Sequence, residues 1–402
     1  MTMTTQIPTT SHAPIRQGAY LQLVLATVGF ALNFWAWALM GPLGPAYKNA
    51  LGLTSFQQAL VVAIPVLVGS LGRIPVGALT DRLGARVMFP LISFLTMIPL
   101  LFLAFFGESF NQLLLGGFVL GLGGTTFAIG IPLVNGWFPP ERRGFALGIF
   151  GAGMGGTAIS AFTTVKLAEA HTRSFPFLLV TVVLAVYGLF AILLVRDAGE
   201  LGKAVGGFWR RTWATMRLGI TIRLSALYAV GFGGFVAFSV YLVTYLKNAY
   251  GLTQVDAASR TAGFVVIAVI ARPIGGWLSD KFHPVLVLTG CFTVVTVFAA
   301  VATLHLELVP FATMAFLAMA AALGAAAGAC FALVALVAPA QSVGSVTGVV
   351  GAAGGLGGFV PPLVMGTVYG RTGSYTIGFI LLCAVALSAA VYTWVAMRPQ
   401  VP

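Results

Sequence analysis

Charge is what this sequence has least of. Lys, Arg, Asp and Glu together make up 7% of its 402 residues, against 59% that are hydrophobic. Soluble domains carry about 25% charged residues, so this chain cannot cover itself with a water-facing surface. Cysteine is scarce as well: Cys291, Cys330 and Cys383 each lie in an apolar run, without C-x-x-C spacing. That excludes a disulfide framework or thiolate metal centre and leaves them as small core residues. The four histidines, His12, His171, His283 and His305, stand in the N-terminal tail or in loops. No Ser/His/Asp, Cys/His or metal-ligand cluster can be assembled, so no enzyme, no cofactor and no metal are expected. Short alternating strands, the mark of an outer-membrane barrel, are missing too. The first seventeen residues lack the apolar run and cleavage site of a signal peptide, and read as a short cytoplasmic tail.

What the chain does have is apolar runs near the roughly 20 residues that cross a bilayer. They cover 19–41, 55–79, 87–106, 112–137, 143–166 and 174–196, then 222–247, 254–278, 284–305, 308–338, 343–368 and 374–397. The expected fold is an all-α integral membrane protein of 12 transmembrane helices in two six-helix halves. Its divisions are an N-terminal tail (1–17), a first half (18–196), a connector (197–221), a second half (222–397) and a C-terminal tail (398–402). The connector holds Lys203, Arg210, Arg211 and Arg217 with Phe208, Trp209 and Trp213, the composition of an interfacial helix.

Basic residues set the expected orientation. Arg16, Arg82, Arg86, Arg142, Arg143, Arg196, the four connector cations, Arg223, Lys281 and Arg398 share one side. Lys48, Lys166, Arg173, Lys247, Arg260 and Arg371 share the other. The richer side is cytoplasmic by the positive-inside rule, placing both termini inside a bacterial-type inner membrane. The net charge of +12 follows from this topology. It forms loop clusters rather than a basic face, so the bilayer is a partner and nucleic acid is not.

The two halves repeat. Lys48-Asn49-Ala50-Leu51-Gly52-Leu53-Thr54 returns as Lys247-Asn248-Ala249-Tyr250-Gly251-Leu252-Thr253, a shift of 199 residues. The same shift carries Arg73 onto Arg272 and Asp81 onto Asp280. At a shift of 200, Gly144, Gly148, Gly151 and Gly155 fall on Gly344, Gly348, Gly351 and Gly355. Thr54 and Thr253 stand where helix caps belong, with Gln57 and Asp256 as capping-box partners.

Arg73 and Arg272 are the anomaly. Each lies eight residues before an aspartate that ends its helix, roughly 12 Å inside at 1.5 Å per residue. A guanidinium at such depth costs ~2.5–3.5 kcal/mol on insertion scales. The nine acids (Asp81, Glu108, Glu141, Glu169, Asp197, Glu200, Asp256, Asp280, Glu307) all fall at helix ends or in loops. Neutralisation must therefore come from solution, and a small anion gripped by two planar forks is the simplest source. Tyr228 and Phe232, four apart on one face, and Phe127 and Phe34 on other helices are the aromatic candidates to line such a site.

Two resemblances sharpen this. Gly77-Ala78-Leu79-Thr80-Asp81-Arg82-Leu83-Gly84-Ala85-Arg86, with its weaker copy at Gly276, Asp280 and Lys281, resembles the loop motif of the major facilitator superfamily, a hinge between the second and third helices of each half. The glycine stripes, with Gly155, Gly355 and the run TGVVGAAGGLGGFVPP at 347–362, are similar to the paired signatures of its nitrate/nitrite porter family. That resemblance implies nitrate and nitrite as partners, held between an arginine of the second helix and one of the eighth. It further implies flanking phenylalanines and a donating tyrosine of the seventh helix. Arg73, Arg272, Phe127, Phe232 and Tyr228 occupy those positions, with Gly151, Met154, Gly155, Gly351 and Gly355 alongside. One departure stands out: the family's helix-five signature carries an asparagine where this chain has Met154 or Gly155. The expected function is nitrate/nitrite antiport by a monomer. The alternatives are nitrate/proton symport, or exchange of another small anion of the organophosphate/phosphate or oxalate/formate type.

Overall fold

The structure, a computed structural model, describes residues 16–198, 208–338 and 343–398, apart from the side chains at 140–141, 208–211 and 343–344. Residues 1–15 of the tail, Glu200 and Lys203 of the connector and residues 399–402 lie outside it. So do the side chains of Glu141, Arg210 and Arg211 and the surroundings of Gly344.

Among the described residues, twelve helices are long and apolar enough to cross a membrane: α1 (Ala19–Leu51), α2 (Ser55–Leu83), α3 (Ala85–Phe106), α4 (Phe110–Trp137), α5 (Arg142–Ala170), α6 (Phe175–Leu194), α7 (Gly219–Tyr250), α8 (Gln254–Phe282), α9 (Pro284–Ala302), α10 (Leu308–Val337), α11 (Ser345–Thr372) and α12 (Thr376–Met397). A short connector helix runs over Phe208–Met216. Large apolar side chains such as Ile98, Phe105, Leu115, Leu193 and Val395 are exposed around the outside. A belt of that extent fits lipid and not water. The protein is a multi-pass membrane protein.

Several expected boundaries move by three or four residues, and the end of the first helix moves by ten. The first helix turns at Ala38–Leu39 and runs on to Leu51. Pro42 is tolerated there because it falls in the first turn of the new segment, where its missing N–H is not needed. The seventh helix starts at Gly219, inside the stretch read as connector.

The repeated segment 48–54 has a concrete job. Gly52 and its counterpart Gly251 end their helices at φ of 61° and 65°, the left-handed cap that glycine adopts without strain. Thr54 then opens α2 with a complete capping box: its Oγ1 accepts from the Gln57 N–H at 3.2 Å, and Gln57 Oε1 accepts from the Thr54 N–H at 2.9 Å. In the second half the box is only half made. Thr253 accepts from the Asp256 N–H, but the Asp256 carboxylate turns to Arg260 at 3.1 Å instead. A full positive charge one turn on attracts it more than an amide does.

Within each half the helices pack as α3 on α6 and as α9 on both α10 and α12; across the halves α2 meets α11, α5 meets α8 and α1 meets α7. Central α7 has 83% of its apolar window buried, and peripheral α12 only 28%. The halves close tightly at the end carrying Lys48. Gln58 Nε2 donates to Thr244 Oγ1 at 3.0 Å and Gln254 Nε2 to the Pro42 carbonyl at 2.7 Å. At the opposite end a Cβ at Gly144 or Gly348 would meet nothing within 4 Å.

The two loop motifs are built differently. Gly84 sits at φ 80° and leads into α3, whose first N–H groups, at Ala85 and Arg86, donate to the Asp197 carboxylate at 2.8 and 3.4 Å. Asp81, Arg82 and Arg86 share this turn, while Gly77 faces Ala128 of α4. At the repeat position the second half has His283, at φ 75°, and its own Nδ1 accepts from the Val285 N–H at 3.3 Å. Gly276, Asp280 and Lys281 precede it on α8.

Candidate functional site

Arg73 opens the second stretch of α2 just after Gly72, and Arg272 lies in α8 beside Pro273. Both are buried, at 5% and 9% exposure. Their guanidinium carbons lie over the same two rings. Arg73 is 5.1 Å from the Phe127 centroid and 5.6 Å from that of Phe232. Arg272 is 5.8 and 5.7 Å from them. Contacts of this kind contribute about 0.5–2 kcal/mol each where water is excluded. They hold the charges in place and do not cancel them.

The hydrogen bonds leave the charge equally uncancelled. Arg73 donates from Nε to the Gly124 carbonyl at 3.2 Å and from Nη1 to the Gly351 carbonyl at 2.7 Å. Gly124 stands in a tightened 3-10 stretch of α4 (Gly121–Thr125), and Gly351 belongs to α11, so one fork ties both halves. Arg272 donates from Nη1 to the Met154 sulfur and from Nη2 to the Tyr228 hydroxyl at 3.4 Å. A thioether and a long contact are weak acceptors. Among the described residues the one ion pair is Arg260 with Asp256. Two cations therefore face each other's surroundings with no carboxylate between them.

The other expected residues fall in two groups. Tyr228 and Phe232 stack at 5.0 Å and 1° between planes, and Gly354 leaves room for both rings. A Cβ on Gly151 would touch Arg272 Nε at 3.5 Å, and one on Gly351 would touch Phe127 at 3.4 Å. Gly355 instead packs on Ser70 of α2, and Gly155 faces open space. Phe34 is set back: it packs on Phe30 and Trp37, and Phe30 is the ring that reaches Phe127, at 5.6 Å. Residues 30 and 34 share one helix face, and the face passes closest to the site one turn earlier than expected.

Phe331 of α10 is a second ring, after Phe30, that sequence reading missed. It lies 5.7 Å from Arg272 and 4.7 Å from Tyr228. A signal existed: Gly124-Thr125-Thr126-Phe127-Ala128 returns as Gly328-Ala329-Cys330-Phe331-Ala332, at a shift of 204 rather than 199.

Comparisons with known proteins agree with this architecture. The sequence pattern of the Major Facilitator Superfamily matches residues 26–362 and 224–402. A bacterial homologue of the human lysosomal transporter Spinster, in its inward-facing unoccupied form, superposes with a TM-score of 0.74 at 19% identity, over 96% of this chain and 98% of that one. The molecule is thus a transporter of the major facilitator fold and not an enzyme. "Probable nitrate/nitrite transporter NarK2" of Mycobacterium tuberculosis is 44% identical over 388 residues, 96% of this chain and 98% of its own length. The "Nitrite extrusion protein" of Bacillus subtilis is 36% identical over 374 residues, 92% and 93% of the two chains. The chain belongs to the nitrate/nitrite porter family of that superfamily.

Proposed function

We propose that this transporter exchanges nitrate and nitrite across the cytoplasmic membrane, with both termini inside. The observation that carries the reading is the arginine pair over one shared pair of rings, with no carboxylate beside it among the described residues. The names borne by the relatives point to the same anions. Nitrate is flat, monovalent and weakly hydrated, so stripping its water in an aromatic-walled slot costs less than for phosphate or sulfate. Arg73 and Arg272 hold the ion, Phe127 and Phe232 flank it, and Tyr228 donates.

An empty site leaves two like charges together in low dielectric, where repulsion is strong. That penalty disfavours the sealed intermediate through which the halves must pass, and a bound anion removes it. The carrier then switches only when loaded, which is exchange. Proton coupling has little to work with. Asp81, Asp256 and Asp280 lie within three residues of a helix end, and the histidines described are in loops. In proteoliposomes, internal nitrite is expected to accelerate nitrate uptake with no pH gradient imposed. Strong uptake that needs a pH gradient but no internal anion would mean symport instead.

The resemblance puts this chain's departure from its family at Met154 or Gly155, and of the two Met154 is the one that meets Arg272. Its sulfur gives Arg272 a soft acceptor and offers the anion no N–H. Met154→Asn is expected to shift the nitrate-to-nitrite preference severalfold while keeping transport. Competition of the two anions for uptake measures it, and an unchanged ratio counts against a role for this position in selection.

A further inference from the structure

The Lys48 end of the molecule carries a feature the central site does not use. An open cleft of about 640 Å³ lies between α1–α2 of the first half and α11 of the second, lined by Lys48, Thr54, Ser55, Phe56, Thr367 and Arg371 among others. Gly366 and Gly370 let α11 lie against Ala59 and Ser55 at its floor. Lys48 Nζ donates to Ser55 Oγ at 3.0 Å and rests 6.0 Å from the Tyr369 ring. It has two further N–H donors to offer, and Arg371 is exposed. No acid lines the cleft.

Each cation stands in the last turn of its own helical segment, where a basic residue offsets the carbonyl ends. That explains why each is basic. It does not explain why cations from opposite halves converge on one cleft at the line where the halves must separate. Resting on the reading of the central site as an anion site, we infer that this cleft is an outer docking subsite for the same class of small oxyanion. Lys48 and Arg371 concentrate the ion at the mouth, hydroxyls of Ser55 and Thr367 border it, and the ion passes inward when the halves open on this side. Opposite charge at a mouth acts mainly on capture, and salt weakens it.

Two measurements test this. In right-side-out vesicles at low ionic strength, K48Q/R371Q is expected to raise the half-saturating external nitrate about three- to tenfold with maximal rate retained. Salt at about 0.3 M should erase the difference, and K48R/R371K should behave as wild type. The second measurement needs no transport. With the three native cysteines replaced by alanine, Phe56→Cys is labelled by an anionic and a cationic methanethiosulfonate. The anionic reagent is expected to react severalfold faster, nitrate should slow it, and K48Q/R371Q should abolish that preference. An unchanged labelling ratio overturns the subsite. So does an unchanged half-saturation in a double variant that still transports. If the wild type moves no nitrate while nitrate still protects the introduced thiol, the subsite stands and the reading of the central site falls.

Discussion

Arg73→Lys and Arg272→Lys are each expected to reduce nitrate exchange at least about a hundredfold while leaving the protein folded. The substitution keeps the charge and removes the fork, so it separates the two. Arg73 uses Nε on Gly124 of the first half and Nη1 on Gly351 of the second. An ammonium is a point with no second arm set at a fixed angle, and it cannot span both carbonyls while lying over Phe127 and Phe232. Arg272 has weaker acceptors in Met154 and Tyr228, so its lysine variant should lose anion affinity more than structure. Counterflow in proteoliposomes reads the loss, and an unchanged elution profile and melting temperature show that the fold survives. Wild-type exchange in both variants would sink the two-arginine site.

Much of this is legible in the sequence. Hydropathy alone separates twelve spans, because a bilayer imposes one length on every crossing. The shift of 199 ties Arg73 to Arg272 because both halves place the same turn, 77–86 and 276–281, at the same end. What stayed hidden depends on packing between helices distant in sequence. Phe331 falls at a shift of 204, since α10 opens with an irregular stretch, Leu308–Ala312, before its regular helix begins at Thr313, whereas α4 is regular from Phe110. Phe30 and Phe34 share a face, and the packing of α1 in the folded bundle brings Phe30 to Phe127. Asp197 caps α3 from 112 residues away, with nothing local to announce it. The same turn in the second half is capped by His283 itself, so the repeat misleads where the two halves solved one problem twice.

The glycines divide by the same logic, and that division yields the second large effect. Gly275, Gly324 and Gly328 knit α8 to α10: a Cβ on Gly324 would strike the Ala268 carbonyl, and one on Gly328 the carbonyl of Arg272 itself. Backbone cannot swing aside as a side chain does, so Gly328→Ala must push α8 away at the residue that carries the charge. Overpacking of this kind costs about 1–3 kcal/mol. A displacement near 1 Å at a functional group reduces rate by up to about a hundredfold. Gly328→Ala is therefore expected to lose at least about tenfold in exchange and several degrees in melting temperature, more in rate than in stability. Gly263 on α8 and Gly290 on α9 are the controls, since an added Cβ meets nothing within 4 Å at either. Alanine there should leave both quantities unchanged or raise stability slightly, because it favours a helix by about 1 kcal/mol over glycine. If Gly328→Ala behaved like these controls, the close approach of α8 and α10 would not be what positions Arg272. The glycines would then serve helix packing alone.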